Sequence, residues 1–252
     1  MAMCYIGTSG YSYKDWRGPF YPPGIPQKAW LTFYAQHFNA VEINATFYRP
    51  FPENVYTHWC EITPPEFRFV LKAPRVITHE KVLDDVNNEL REFMSSAAGL
   101  GDKLAAVLWQ FPASAQADTL QEQFSKFLRM LPQNTRHVFE FRNASWFKEE
   151  IYALLNQYHA GFVMNDTRHF PNREVITDQV VYVRFHGSDK LYDSLYNTDQ
   201  LQAWAGKIRP NLDHYDVYIF FNNTYGGQAL KNAKEMQTLL MNTANVSTTR
   251  AP

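Results

Sequence analysis

The polar side chains best placed to do chemistry lie at or near the ends of hydrophobic runs: Glu42, Asn44, Lys72, Gln110, Glu140, Arg142, Asp166, Arg184, His186 and Asn222. Successive side chains of a strand point to opposite faces. In Val41-Glu42-Ile43-Asn44 the apolar residues take the outer face, which turns Glu42 and Asn44 inward, and the same parity turns the others inward. The set balances three carboxylates (Glu42, Glu140, Asp166) against three cations (Lys72, Arg142, Arg184). Interleaved cations repel divalent ions, whereas guanidinium forks suit phosphate or carboxylate. The leading scheme is an anion clamped by Arg142, Arg184 and Lys72, with protons moved by Glu42, Glu140, Asp166 and His186, the last titrating near neutrality if unperturbed. Asn44, Gln110 and Asn222 would orient the substrate. Two other schemes use the same groups: a divalent metal on Glu42, Glu140, Asp166 and His186, or Glu42 and Glu140 as a glycosidase pair. The leading scheme needs neither metal nor cofactor.

A second anion signal lies in Asn222-Asn223-Thr224-Tyr225-Gly226-Gly227, which runs straight into a helical stretch. Free amides at Gly226 and Gly227, helped by the helix dipole, would meet a phosphate there. The competing reading is that the two glycines only permit a tight turn. Aromatic residues crowd the same end of the chain's elements, with Tyr11 and Trp16 after the first run, Tyr48 after the second and Trp146 after the fifth. These rings are expected to wall a partly apolar mouth.

The elements that must position these groups form a repeat. Runs rich in β-branched and aromatic residues fall at 4–8, 40–45, 67–72, 105–110, 137–142, 161–166, 180–186 and 217–222. Between them, helical periodicity marks 28–38, 53–62, 84–100, 119–131, 147–158, 198–208 and 228–241, leaving only 167–179 without a helix. Eight strands alternating with helices over roughly 250 residues is the arithmetic of a (β/α)8 barrel, whose active sites lie at the C-terminal ends of the strands. The sequence therefore predicts one α/β barrel domain over 1–241, with a long aromatic-rich loop after strand one. A polar tail over 242–252 is expected to be disordered.

Composition narrows the function classes. With 24 Lys+Arg against 25 Asp+Glu, the formal charge of −1 favours no polyanionic partner. Two cysteines, Cys4 and Cys60, support neither a disulfide framework nor a Cys-rich zinc site. The N-terminal residues lack the basic and apolar regions of a signal peptide, and no apolar stretch is long enough to span a membrane, so a cytoplasmic protein is expected. There is no G-x-G-x-x-G, G-x-S-x-G, H-E-x-x-H or P-loop, and Gly7-Thr8-Ser9-Gly10 lacks the third glycine of a dinucleotide loop.

Longer motifs carry a resemblance. Ile6-Gly7-Thr8-Ser9-Gly10-Tyr11-Ser12-Tyr13 with Trp16 and Phe20-Tyr21-Pro22, and Val41-Glu42-Ile43-Asn44 with Thr46-Phe47-Tyr48, resemble the opening of the DUF72 (YecE-like) family. Phe69-Val70-Leu71-Lys72, Leu108-Trp109-Gln110-Phe111-Pro112, Val138-Phe139-Glu140-Phe141-Arg142, Tyr182-Val183-Arg184-Phe185-His186-Gly187 and Phe221-Asn222-Asn223 resemble its later motifs. The resemblance covers about residues 4–241 and implies a TIM barrel; it implies no reaction, because the family is defined by unknown function. The functional expectation is a barrel enzyme using acid/base chemistry on a small phosphorylated or carboxylated, sugar-like molecule. The alternatives are a binding module for nucleic acid or protein, and a metal-dependent phosphodiesterase or sugar isomerase.

Overall fold

Residues whose side chains are apolar on both faces become parallel strands covered on both faces. In the computed structural model, which describes residues 2–241, these are β1 (Cys4–Thr8), β2 (Ala40–Ile43), β3 (Arg68–Lys72), β4 (Leu104–Gln110), β5 (His137–Glu140), β6 (Ala160–Asp166), β7 (Val180–Phe185) and β8 (Asp216–Phe221). All pairings between them are parallel, in the order β1-β8-β7-β6-β5-β4-β3-β2, so the sheet curls into a nearly closed barrel. The tail at 242–252 lies outside the described residues.

Around the barrel run α1 (Trp30–Tyr34), α2 (Ala45–Tyr48), α3 (Glu53–Glu61), α4 (Asn87–Ala97), α5 (Ala117–Met130), α6 (Glu149–Gln157), α7 (Thr198–Ile208) and α8 (Gln228–Met241). Their apolar stripes make the outer core. In α5, Phe124, Phe127 and Leu128 recur at helical spacing, and Phe127 meets Trp109 edge-on at 4.8 Å while Phe124 meets Phe139 at 5.2 Å. A capping box opens α7, with Asn197 and Gln200 exchanging side-chain to backbone bonds. The 167–179 connection carries no helix, as its lack of periodicity predicts.

Several boundaries differ from the sequence reading: the helix expected over 28–38 is only Trp30–Tyr34 and the fifth strand ends at Glu140, and two further differences have local reasons. Residue 45 starts the short helix α2 instead of extending β2. The helix expected from 84 starts at 87, because a π turn at Val76–Glu80 is followed by left-handed backbone at Val82, Leu83 and Asp85. A β-branched residue such as Val82 rarely adopts that conformation.

The barrel closes between β1 and β2 with side chains in place of a full ladder. Ile6 N donates to Asn39 Oδ1 at 2.9 Å, and Asn39 Nδ2 donates to the Cys4 carbonyl at 2.7 Å. Tyr34 Oη accepts from Thr8 N at 2.8 Å and donates to the Ala40 carbonyl at 3.2 Å. Gly7 is required here: a Cβ would overlap the Ala40 carbonyl oxygen. One true strand contact remains at the top, where Ser9 bridges Glu42 and Gly10 N donates to the Glu42 carbonyl at 2.6 Å.

Inside the barrel the lower part is filled by Tyr5, Val70, Ala106, Leu108, Val138, Val163, Tyr182, Tyr218 and Phe220. Above this apolar floor the inward positions turn polar, towards the C-terminal ends of the strands.

Candidate active site at the C-terminal face

The next inward residue after the floor is charged on β2, β3, β5 and β7, and those from β2, β5 and β7 meet. Arg184 lies between Glu42 and Glu140, all fully buried. Its Nη2 and Nε donate to Glu42 Oε1 and Oε2 at 2.6 and 3.0 Å, and its Nη1 donates to Glu140 Oε2. Ser9 Oγ and Tyr182 Oη complete Glu42, each at 2.7 Å. Arg142 Nε completes Glu140 at 2.9 Å. Burial alone would raise the Glu140 carboxyl, but the charges of Arg184 and Arg142 hold it well below the usual range. Burial would also favour a neutral Arg184, and the two carboxylates outweigh it, raising its pKa further.

This network bears on the roles expected for five residues, because each already has partners within the protein. Each nitrogen of Arg184 already donates to a glutamate, and the oxygens of Glu42 and Glu140 are engaged by their donors. His186 is likewise committed: its Nε2 lies 2.9 Å from Asn165 Oδ1 and its Nδ1 3.2 Å from Asn222 Nδ2, the pattern of a neutral ring with the proton on Nε2. Burial, then the Arg184 charge, pushes its pKa well below the ordinary value. The ring is thus held between Asn165 and Asn222.

Asp166 requires a further correction. On β6 the inward residues are Val163 and Asn165, so Asp166 turns to the helix layer, where its carboxylate accepts from Trp204 Nε1 and its carbonyl accepts from Tyr196 Oη at 3.0 Å. With Asp166 outside and both glutamates bound to Arg184, the four proposed metal ligands do not converge. Among the described residues, no group of three or more His, Cys, Asp or Glu is placed to hold a metal.

What stays available lies above the buried triad. Lys72 Nζ donates to Gln110 Oε1 at 2.7 Å and sits 4.1 Å over the Phe47 ring. Burial and the nearby Arg184 charge bring it down to about 7. Gln110 Nε2 is also 3.3 Å from His79 Nε2, while His79 Nδ1 is 2.8 Å from Thr78 Oγ1. Burial, then the Lys72 charge, lowers His79 to about 4, so it is neutral at pH 7. Arg142 stacks on Phe170 at 4.6 Å, and among the described residues its two terminal nitrogens have no partner. Asn44, at the end of β2, has a buried Oδ1 without a hydrogen-bond partner, the kind of orphan acceptor a ligand donor satisfies.

The glycine site reads differently from the sequence expectation. Gly226 N donates to Asp15 Oδ2 at 2.8 Å, so the chain's own carboxylate occupies the position expected for an anion. Gly227 N is turned to the Thr224 carbonyl. Among the expected mouth aromatics, Trp16 and Trp146 are fully buried, their Nε1 groups donating to the carbonyls of Thr224 and Ala115 at 2.9 and 2.8 Å. They pin loops. Tyr11 packs against Tyr34 at the barrel seam, and Tyr48 is exposed beside the rim. The rings that bear on the polar groups are Phe47, Phe170 and Tyr192, the last two 5.1 and 6.0 Å from His186.

Sequence reasoning missed His79, Asn165, Ser9 and Tyr182. The last two were legible from parity, because they share faces with Gly7 and Arg184. Asn165 was hidden because both faces of β6 are apolar up to it. His79 had no periodic signal, since it sits in the π turn.

A cleft of about 1100 Å3 opens to one side, between the segments after β2 and β3, and includes Phe47, Tyr48, Arg49, Arg75 and Phe93 in its lining. Its lining contains none of Lys72, Gln110, Arg142 or His186. Its size suits a ligand, but the groups able to move protons converge at the barrel mouth, and Phe47 alone belongs to both. The mouth is therefore the candidate site.

With fold and geometry in place, comparison with known proteins decides the family. The model for "Protein of unknown function DUF72" matches residues 5–252. The chain belongs to the DUF72 family. Similar proteins include the UPF0759 protein YunF of Bacillus subtilis (strain 168), 28% identical over 275 residues, covering 94% of this chain and 95% of that protein. The UPF0759 protein YecE of Escherichia coli (strain K12) is 29% identical over 253 residues, covering 90% of this chain and 89% of the relative. The crystal structure of a DUF72 family protein from Thermotoga maritima MSB8 superposes with a TM-score of 0.84 at 31% identity, over 95% of this chain and 99% of that one. Membership accounts for the barrel and supplies no reaction. Among the described residues of this DUF72 chain, no helix is long and apolar enough to cross a membrane.

Proposed function

We propose that this chain is an enzyme that moves protons on a small phosphorylated or carboxylated molecule at the C-terminal face of its barrel. Arg142 takes the anionic group, and Lys72 transfers the proton. The observation that carries the reading is the free end of Arg142 at the same rim as an amine poised near neutrality. A buried Glu42–Arg184–Glu140 assembly then serves as the rigid base that holds Arg142 in place. The orphan Asn44 Oδ1 calls for a donor, which a sugar-like hydroxyl supplies. The unpaired Cys4 and Cys60 suit a reducing compartment, and we place the enzyme in the cytoplasm.

The test is binding of inorganic phosphate, hydroxy acids and sugar phosphates by calorimetry at low salt, on wild type and R142M. At least one anion should bind the wild type, with affinity falling about tenfold or more in the variant, the loss expected for a charge-assisted contact. Equal binding by both proteins, or none by the wild type, removes the reading.

A further inference from the structure

We propose that Lys72 is a nucleophile that forms an imine with the carbonyl group of a small oxo acid whose anionic end is held by Arg142. This deepens the reading above and rests on it. Lysines on protein surfaces usually face carboxylates or water and keep their proton. Lys72 faces an amide oxygen and an aromatic ring, and among the described residues it forms no ion pair with a carboxylate. The reason lies in the layer beneath: Glu42 from β2 and Glu140 from β5, its nearby acids, are both engaged by Arg184 from β7. The remaining charge facing it is Arg142, with neutral His79 from the turn after β3. An amine flanked by guanidinium groups and partly desolvated is the environment in which lysine acts as a nucleophile. Its lowered pKa leaves a large share of the lone pair free at neutral pH.

Geometry also limits the partner. Lys72 ends β3, and Arg142 follows β5, with β4 and Gln110 between them. Two strand spacings are roughly 10 Å. Two long side chains reaching in from both sides leave room for a short acid, not for a polymer.

The step balances without an oxidant or reductant. The Nζ lone pair attacks the carbonyl carbon while the C=O π pair moves to oxygen, giving a carbinolamine once nitrogen passes a proton to oxygen. That proton passes from nitrogen to oxygen through solvent at the rim. The oxygen then leaves as water, the nitrogen lone pair forming C=N, so that amine plus carbonyl gives imine plus water. The protonated imine draws electrons from the adjacent carbon, whose proton becomes easier to remove.

The experiment uses the full chain, glyoxylate as the probe and cyanoborohydride to reduce any imine to a stable carboxymethyl group on nitrogen, with peptide mass mapping at pH 7. Lys72 should be modified at least about tenfold faster than the exposed Lys14 and Lys231. Excess phosphate should slow only Lys72, and R142Q should remove the preference. Folded K72R should give no adduct at position 72, and the phosphate competition tests the wild type without any variant. Modification of Lys72 no faster than of Lys14 overturns the proposal, as does an undiminished preference in R142Q. Phosphate binding detected by calorimetry without that preference removes the imine and leaves the anion-binding reading intact. Failure of both phosphate and glyoxylate to bind removes both.

Discussion

Arg184 grips Glu42 at two points, Nη2 to Oε1 at 2.6 Å and Nε to Oε2 at 3.0 Å, across 142 positions of sequence and from β7 to β2 inside the barrel. A desolvated charge of this kind is tolerable only while every partner is present. E42Q removes one charge and leaves Arg184 short of its partner, so it should destabilise the fold by about 3–5 kcal/mol in denaturant unfolding. A loss below about 1 kcal/mol would show that solvent reaches the triad.

Lys72 sets a stability trend with pH. Its folded pKa of about 7 lies below the ordinary 10.5, so between these values the unfolded chain binds more protons and stability rises with pH from this group. At pH 6 the penalty is fully present; by pH 10.5 it is gone. K72M should therefore be more stable than wild type at pH 6, on the order of 2 kcal/mol once solvent around the amine is allowed for. The gap should close by pH 10.5. A gap independent of pH would mean that packing, not charge, separates the two proteins.

Glu140 acts in the opposite direction. Its folded pKa is depressed, so its contribution is in place above the ordinary 4.5 and is lost as pH falls through the folded value. Wild type should lose stability in acid more steeply than E140Q, as read from unfolding midpoints between pH 5 and the onset of acid denaturation. Parallel curves for the two proteins would deny Glu140 this role.

His186 should remain neutral with its proton on Nε2 throughout the range in which an exposed imidazole titrates. Nitrogen-15 shifts of the ring settle the matter: constant values from pH 5 to 8 are expected, and a midpoint near 6.5 would restore it as an acid/base group.

At the barrel seam, G7A forces a Cβ into the Ala40 carbonyl and should destabilise by about 3 kcal/mol. Y34F removes the hydroxyl shared by Thr8 N and the Ala40 carbonyl and should cost about 1–3 kcal/mol. Thermal unfolding of each variant measures both effects; wild-type stability in G7A would mean that the seam yields freely.

The sequence made the architecture legible because strand and helix periods alternate cleanly: α7 and α8 fall at the expected residues, and each strand lies within a few positions. Parity also located Glu42, Lys72, Gln110, Glu140 and Arg184 on the inner face. It could not tell which charges would satisfy one another. Arg184 and Lys72 look equivalent in sequence, yet one is spent inside the triad and the other stands above it, a distinction set by distances across the barrel. Parity failed on β6, where Val163 and Met164 are both apolar and nothing marks the inner side. His79 and Phe170 were invisible for another reason: irregular segments place them, and such backbone has no period to read.

The side-chain lacing between β1 and β2 bears on how the molecule is made. β1 finds its complete backbone ladder only on β8, and Met3 N reaches Asp216 Oδ1 across 213 positions. During synthesis the first strand thus waits for nearly the whole chain to emerge, while β2 to β7 can pair in order with their neighbours. Contacts so distant in sequence are slow to form. Tyr34 at the end of α1 and Asn39 just before β2 give the waiting strand provisional partners, which shields its edge from neighbouring nascent chains until β8 arrives.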